Sequence, residues 1–317
     1  MQIAYAFRRS SFYPFQPPEA SWDAAHNAGG QAWLLPNGHV RSRFLTKVKD
    51  IGFDGIELGV DSFGGMDAIE SQAKELQQEL SSYDLPCVAV RAGGGLCQPS
   101  EASHNRKRLE KAIEVAGWIG AGIVNSNLGS MSRNRKLDSM DIGIPVQHGS
   151  SQLATEQDFV QTSEILHEVG EMGKNLNVTI TVEVHQHSIA DNSWSTLKLL
   201  EMTNSPNVFV NPDLANILWH YDEPEETTED AIVSLAPVSR YWHCKNLQRA
   251  HIPENERAVF IRVPLPDGEV DYRFAISAML ESSYDGYLAI EGAVAGDQLY
   301  ADQRSLEYVR SILDEPR

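Results

Sequence analysis

The stretch NVTITVEVHQHSIADNSWSTLKLLEMTNSPNVFVNPD, residues 177–213, contains one complete strand–helix–strand unit. Its first segment, NVTITVEVH (177–185), is β-branched and alternates. Period two puts Thr181, Glu183, His185 and His187 on one face and Val182 and Val184 on the other. WSTLKLLEMT (194–203) then has helical spacing, with Ser193 as the expected cap, and NVFVNPD (207–213) is a second short strand. A strand, a helix and a strand at this spacing make a parallel βαβ crossover. A buried strand that carries a carboxylate and two imidazoles on one face needs a reason, and the rest of the chain supplies candidates.

The same unit recurs in both directions. Strand-like runs fall at 3–7, 54–60, 85–95, 121–129, 177–185, 207–213, 239–245 and 285–292. Helical patterns fall at about 40–52, 66–82, 101–119, 156–176, 194–203, 228–236, 271–284 and 301–314, with Ser100 and Thr155 as further expected caps. Eight alternations in 317 residues predict one (β/α)8 TIM barrel spanning 1–317. The competing fold is an open doubly wound sheet. No GxGxxG follows the first strand, and GGG at 93–95 lacks dinucleotide-binding spacing. Two long connections, about 130–154 and 247–269, are expected to shape the active-site mouth.

Composition excludes several classes. A formal charge of -18, with no Lys/Arg run, argues against nucleic acid or an anionic membrane as partner. Hydrophobic residues at 42% are enough for a large core, and no apolar window is long enough to span a bilayer. Three cysteines without CxxC spacing fit reduced thiols, and MQIAYAFRRSSF lacks a long apolar signal segment. A cytoplasmic protein is expected.

In a TIM barrel, chemistry gathers at the C-terminal strand ends. Those ends supply Glu57, Arg91, Asn125 and Asn127, Glu183 and His185, Asp213 and Asn216, His243 and Lys245, and Glu291. Thirty residues separate Glu183 from Asp213, and again Asp213 from His243. A lone acid at a strand end is ordinarily a loop hydrogen-bond partner, and a lone histidine in WHC is ordinarily a core residue. Three carboxylates and an imidazole closing four neighbouring strands are harder to explain structurally, because clustered buried carboxylates need a cation. The set Glu183, Asp213, His243 and Glu291 therefore predicts one divalent ion, Mn²⁺ first, with Mg²⁺ or Co²⁺ as alternatives.

IGFDGIEL (51–58), TVEVH (181–185), NPDLAN (211–216), WHCKN (242–246) and above all VPLPDGEVDYRFAISAMLESSYDGYLAIEG (263–292) resemble the xylose-isomerase-like barrel superfamily over about 40–314. That superfamily includes sugar isomerases and ketose 3-epimerases, and its four metal ligands fall on Glu183, Asp213, His243 and Glu291. The resemblance implies that Glu183 and Glu291 also act as acid and base. Arg249 stands where ketose 3-epimerases carry a substrate-binding arginine, whereas Asn216 replaces their histidine. DNA-repair relatives need further histidines where this chain has Arg91, Asn125 or Asn127, and Asn216, so one metal site is expected and an abasic-site endonuclease is not.

The resulting expectation is proton abstraction next to a sugar carbonyl, by an isomerase or epimerase. His185 would contact a substrate hydroxyl or act as the base, and His187 would lie beyond the strand. Lys245 would stabilise an enediolate or pair with a carboxylate, and Glu57 and Arg91 would contact hydroxyls. Trp22, Trp33 and Trp219 could wall the sugar or pack the barrel, and Arg133, Arg135, Lys136 and His148 could grip an anion or be solvated. A lyase that follows the same enolisation with β-elimination, of the dehydratase or C-glycoside-cleaving type, stays open, as does a non-catalytic sugar-binding subunit. The expected partner is a small sugar or sugar derivative, in a homo-oligomer or a hetero-complex with a small subunit.

Overall fold

The computed structural model describes residues 1–7, 35, 38–98, 100–129, 150–221, 223–292 and 297–316. Trp22, Trp33, Arg133, Arg135, Lys136 and His148 lie outside these described residues. Among the described residues ten strands are formed: β1 (Gln2–Ala6), β2 (Gly55–Gly59), β3 (Cys87–Arg91), β4 (Ile123–Asn127), β5 (Thr179–Glu183), β6 (Val208–Asn211), β7 (Trp242–Cys244), β8 (Asn246–Ile252), β9 (Arg257–Val263) and β10 (Tyr287–Ile290). Eight of them form one parallel sheet in the order β6-β5-β4-β3-β2-β1-β10-β7. A bridge from Val210 to Ser239 and a 3.2 Å bond from Arg240 N to Val210 O join the two ends, so the sheet is a nearly closed TIM barrel.

Eight helices pack around it: α1 (Gly38–Ile51), α2 (Glu70–Ser82), α3 (Ala102–Ile119), α4 (Glu156–Asn175), α5 (Ser193–Thr203), α7 (Thr228–Leu235), α8 (Tyr272–Glu281) and α9 (Gln298–Leu313), with a single turn, α6 (Ala215–Leu218), inserted after β6. Strand parity decides which side chain goes where. On β1, Ile3 and Tyr5 face the helices, where Tyr5 meets the edges of Phe44 and Phe53 at 5.9 and 5.0 Å. Ala4 and Ala6 face inward and, with Ala89, Ala289 and Tyr241, fill the barrel floor. Gly173 on α4 permits close approach to β5, because a Cβ there would lie 2.5 Å from Val178 O.

Thr155 caps α4 as expected and completes a capping box with Asp158. The other two expected caps are corrected. Asn192, not Ser193, caps α5 by accepting from Ser195 N, and α3 begins at Ala102 after Glu101 without a side-chain cap. Ser193 is drawn away because its N and hydroxyl both bind Glu226. The 247–269 connection is not a plain loop either, since β8 and β9 pair in it as an antiparallel hairpin.

The VPLPDG turn that follows is tied to the barrel by one fully buried amide. Asn246 Nδ2 donates to Leu265 O and Val270 O at 2.7 and 3.0 Å, and its Oδ1 accepts from Val270 N at 3.0 Å. Gly268 is required there, because a Cβ would fall 2.2 Å from Asn246 Cγ. Asp271 then caps α8. Cys87, Cys97 and Cys244 are buried free thiols, and among the described residues no helix is long and apolar enough to cross a membrane.

Candidate metal and substrate site

Glu57 is the buried hub beneath the barrel mouth. Inward on β2 and fully enclosed, it accepts from Arg91 Nε (2.5 Å), Tyr241 OH (2.5 Å) and His243 Nε2 (2.6 Å). Burial pushes its carboxyl upward, but Arg91 and His243 together outweigh burial and hold it below the ordinary range. By occupying Nε2, Glu57 turns His243 Nδ1 toward the mouth.

That nitrogen has no hydrogen-bond partner; it lies 3.5 Å from Glu183 Oε2 and 4.0 Å from Asp213 Oδ2. Asp213 Oδ1 is likewise buried without a partner. Glu183, Asp213 and His243 can each place one ligand atom within 4.8 Å of the others, and all three are buried. Two donors about 2.0–2.2 Å from a shared ion are separated by no more than about 4.4 Å, so the 3.5 and 4.0 Å from His243 Nδ1 to its two carboxylate neighbours, with the orphaned atoms, fit a metal.

An amide layer fixes Glu183 from below. Asn125 Oδ1 accepts from Thr181 Oγ1 and Asn211 Nδ2, both at 3.1 Å, which leaves Asn125 Nδ2 to donate to Glu183 Oε2 at 2.9 Å. Asn216 Nδ2 reaches Glu183 Oε1 at 3.4 Å and Val184 O at 2.8 Å. Burial raises the Glu183 pKa, but His243, His185 and Lys245 together outweigh it and hold Glu183 below the carboxylate range. Burial drives Asp213 up to about 7, with Lys245 opposing and Glu291 and Glu183 adding to the rise. Burial disfavours the His243 cation, yet Glu57 and Glu183 lift its pKa to about 10.

Above this lies a cavity of about 440 Å³ lined by Arg91, Glu183, His185, Trp219, Lys245, Arg262 and Glu291, among others. Lys245 Nζ bridges Asp213 Oδ2 (2.6 Å) and Glu291 Oε2 (2.9 Å), so the carboxylate pairing expected as one of its two roles is present. Glu291 also meets Arg262 Nη2 at 3.0 Å and Arg91 Nη1 at 3.6 Å, and it stands outside the Glu183–Asp213–His243 trio. His185 lies past the end of β5, with Nδ1 2.9 Å from Gln186 O. Burial lowers its pKa against the pull of Glu183.

A smaller cavity of about 150 Å³ adjoins the first at Gln186, which lines both, and carries His187, Asp191, Asn216 and Glu225. Arg249 lies on β8, partly exposed, and does not line the main cavity; its backbone N donates to Glu269 Oε1 at 2.6 Å. Tyr241, Asn211 and Arg262 were not singled out from sequence. Arg262 carried one usable signal: Ala258, Phe260 and Arg262 alternate with exposed Val259 and Ile261 along β9.

Residues 45–312 match the family model described as xylose isomerase-like TIM barrel. The L-ribulose-5-phosphate 3-epimerase UlaE of Salmonella heidelberg is 23% identical over 270 residues, covering 81% of this chain and 84% of that protein. The fold is shared with a xylose isomerase-like TIM-barrel protein from Mycobacterium smegmatis, solved in complex with magnesium (TM-score 0.72, 20% identity, covering 88% of this chain and 89% of that one). It is also shared with the probable 3-DHS dehydratase AsbF from Bacillus anthracis (TM-score 0.67, 17% identity, covering 98% and 99%). Sugar epimerases are thus among this chain's relatives, with a dehydratase among its structural neighbours.

Proposed function

Since the chain belongs to the xylose isomerase-like TIM-barrel family, we propose that it is a divalent-metal-dependent sugar isomerase or epimerase that moves a proton next to a carbonyl. The observation that carries this reading is the buried Glu183–Asp213–His243 trio with His243 Nδ1 and Asp213 Oδ1 left without partners at the barrel mouth. These three residues, with Glu291 as the fourth ligand, would hold the ion, Mn²⁺ for preference, since an oxygen-rich set with one imidazole suits it and also admits Mg²⁺ or Co²⁺. The ion supplies Lewis acidity at the substrate carbonyl.

The chain's own groups do the rest. Glu183 and Glu291 both line the cavity and are the proposed acid–base pair. Lys245, between Asp213 and Glu291, places a cation where negative charge develops on the substrate oxygens. Arg91, His185 and Asn216 are proposed to orient hydroxyls, whereas Glu57 holds Arg91 and His243 in place. The smaller cavity beside Gln186 favours a second reading, a lyase in which the same enolisation expels a leaving group into that space.

Elemental analysis of the purified protein beside Glu183→Gln and Asp213→Asn, followed by solvent-deuterium incorporation into ketoses, tests the proposal. One metal equivalent, lost in both variants, and deuterium gained by a ketose or its isomer are expected. Undiminished deuterium exchange by metal-stripped protein would sink the proposal, and a released fragment in place of an isomer would select the lyase.

A further inference from the structure

The hydrogen bonds beneath the site run in one direction, and a main-chain group sets it. On β7, His243 N donates to a side chain, Asn211 Oδ1 on β6, at 2.6 Å. A main-chain N–H can only donate, so the oxygen of the Asn211 amide must face His243 and its Nδ2 must face away. That Nδ2 donates to Asn125 Oδ1 at 3.1 Å, which leaves Asn125 Nδ2 for Glu183 Oε2 at 2.9 Å. Thr181 Oγ1 also reaches Asn125 Oδ1, at 3.1 Å, but adds no direction, because a hydroxyl turns to donate or to accept. Asn211, Asn125 and Thr181 are all 0% exposed, so bulk water does not compete for these links.

This chain of bonds starts on the backbone of one member of the metal trio and ends on the carboxylate of another, whose Oε2 lies 3.5 Å from His243 Nδ1. A carboxylate only accepts, so Asn125 holds Glu183 only while it presents its N–H₂ end. The reverse order would press Asn125 Oδ1 against Glu183 Oε2, two buried acceptors with no proton between them. Asn211 pairs in register with Glu183 and stands two residues before Asp213, so the segment that leads to the third ligand also braces the other two. Asn211 itself does not line the main cavity. We propose that Asn211 is a positioning residue, which fixes through the Asn125 amide how Glu183 stands toward His243. This goes beyond the isomerase reading and uses its metal site for one of two readouts.

Asn211→Asp tests the direction. Aspartate has nearly the same shape and keeps an acceptor for His243 N, but it offers a second acceptor to Asn125, whose amide must then turn its oxygen toward Glu183. Glu183→Gln supplies an N–H to that oxygen, so the reversed chain is satisfied again. In chelator, Asn211→Asp should lower the denaturant midpoint, and adding Glu183→Gln should recover about half of that loss or more. In an Asn125→Ala protein, which has no amide to turn, the recovery should shrink to about a quarter of its size or less. A recovery equally large without Asn125 is plain repulsion between two carboxylates and overturns the proposal, as does no recovery. Asn211→Ser removes the directing amide without adding charge, and calorimetric titration should show it binding Mn²⁺ about 10–100-fold more weakly. Thr181→Val, which takes one bond from the same Asn125 oxygen, should stay within about threefold of the wild type. Equal losses in the two also overturn the proposal. A wild type that binds no Mn²⁺ removes the isomerase reading and leaves Asn211 to be judged in chelator.

Discussion

Replacing Glu57 by glutamine tests how the floor of the site controls its mouth. The side chain is fully buried, and Arg91, Tyr241 and His243 all direct N–H or O–H groups at it. Glutamine keeps the volume but removes the charge and turns an amide N–H₂ toward donors. Removing one partner of a buried ion pair costs about 3–5 kcal/mol. With an unfolding entropy of about 2.1 cal/mol/K per residue over 317 residues, that loss lowers the melting temperature by about 4–8 °C. Tyr241→Phe, which removes one donor and no charge, should cost about 1.5–3 kcal/mol and about 2–4 °C. Scanning calorimetry in chelator measures both. His243 also loses the group that fixes its tautomer, so metal affinity in Glu57→Gln should fall about 10–100-fold by titration. A variant that melts within about 1 °C of the wild type and binds metal equally well would refute the idea that Glu57 carries His243.

Asp191, beside the smaller cavity, gives a pH signature of opposite sign to the usual carboxylate. Burial raises it to about 6 from 3.8, so the folded state holds the extra proton and its stabilising contribution, complete below about pH 4, is lost as pH rises through 6. Chemical denaturation at pH 4 and pH 7 should show the wild type losing up to about 3 kcal/mol relative to Asp191→Asn; a constant difference, or one of the other sign, contradicts the assignment. Gly268→Ala forces a methyl into Asn246 and should cost about 1–3 kcal/mol in denaturant titration, with lower turnover because Asn246 follows Lys245 directly. Unaltered stability there would mean that the turn moves freely.

Parity along the strands was readable before the structure was known. Alternation in TITVE and IAYA separates inward from outward residues, and the aligned acids, Glu183 closing strand five and Asp213 just past strand six, do converge with the histidine in strand seven. Depth along the barrel axis was not readable. Glu57, Asn125 and Glu183 all point inward, yet Glu57 sits beneath His243 while Glu183 lines the cavity, because strand stagger, which no local pattern encodes, sets the layer. Arg249 and Arg262 show the same limit. Both lie in a connection without helix periodicity, and Arg249 pairs with Phe260 as Leu247 pairs with Arg262, so the two arginines share one face of the hairpin and only distance from the barrel separates the one that lines the cavity from the one that does not. Capping at α5 depended on Glu226, a residue distant in sequence that claims Ser193.

The incomplete junction between β6 and β7 has a mechanical consequence. One bridge, the Arg240–Val210 bond and a side-chain bond from His243 N to Asn211 Oδ1 (2.6 Å) hold it, where the other strand neighbours share longer ladders. Asp213 follows β6 and His243 lies on β7, so a cation held by both would rivet the weakest seam of the ring. Loading would then slow amide exchange at Val210, Arg240 and His243 more than elsewhere in the barrel, making the ion a fastener of the cylinder as well as a reagent.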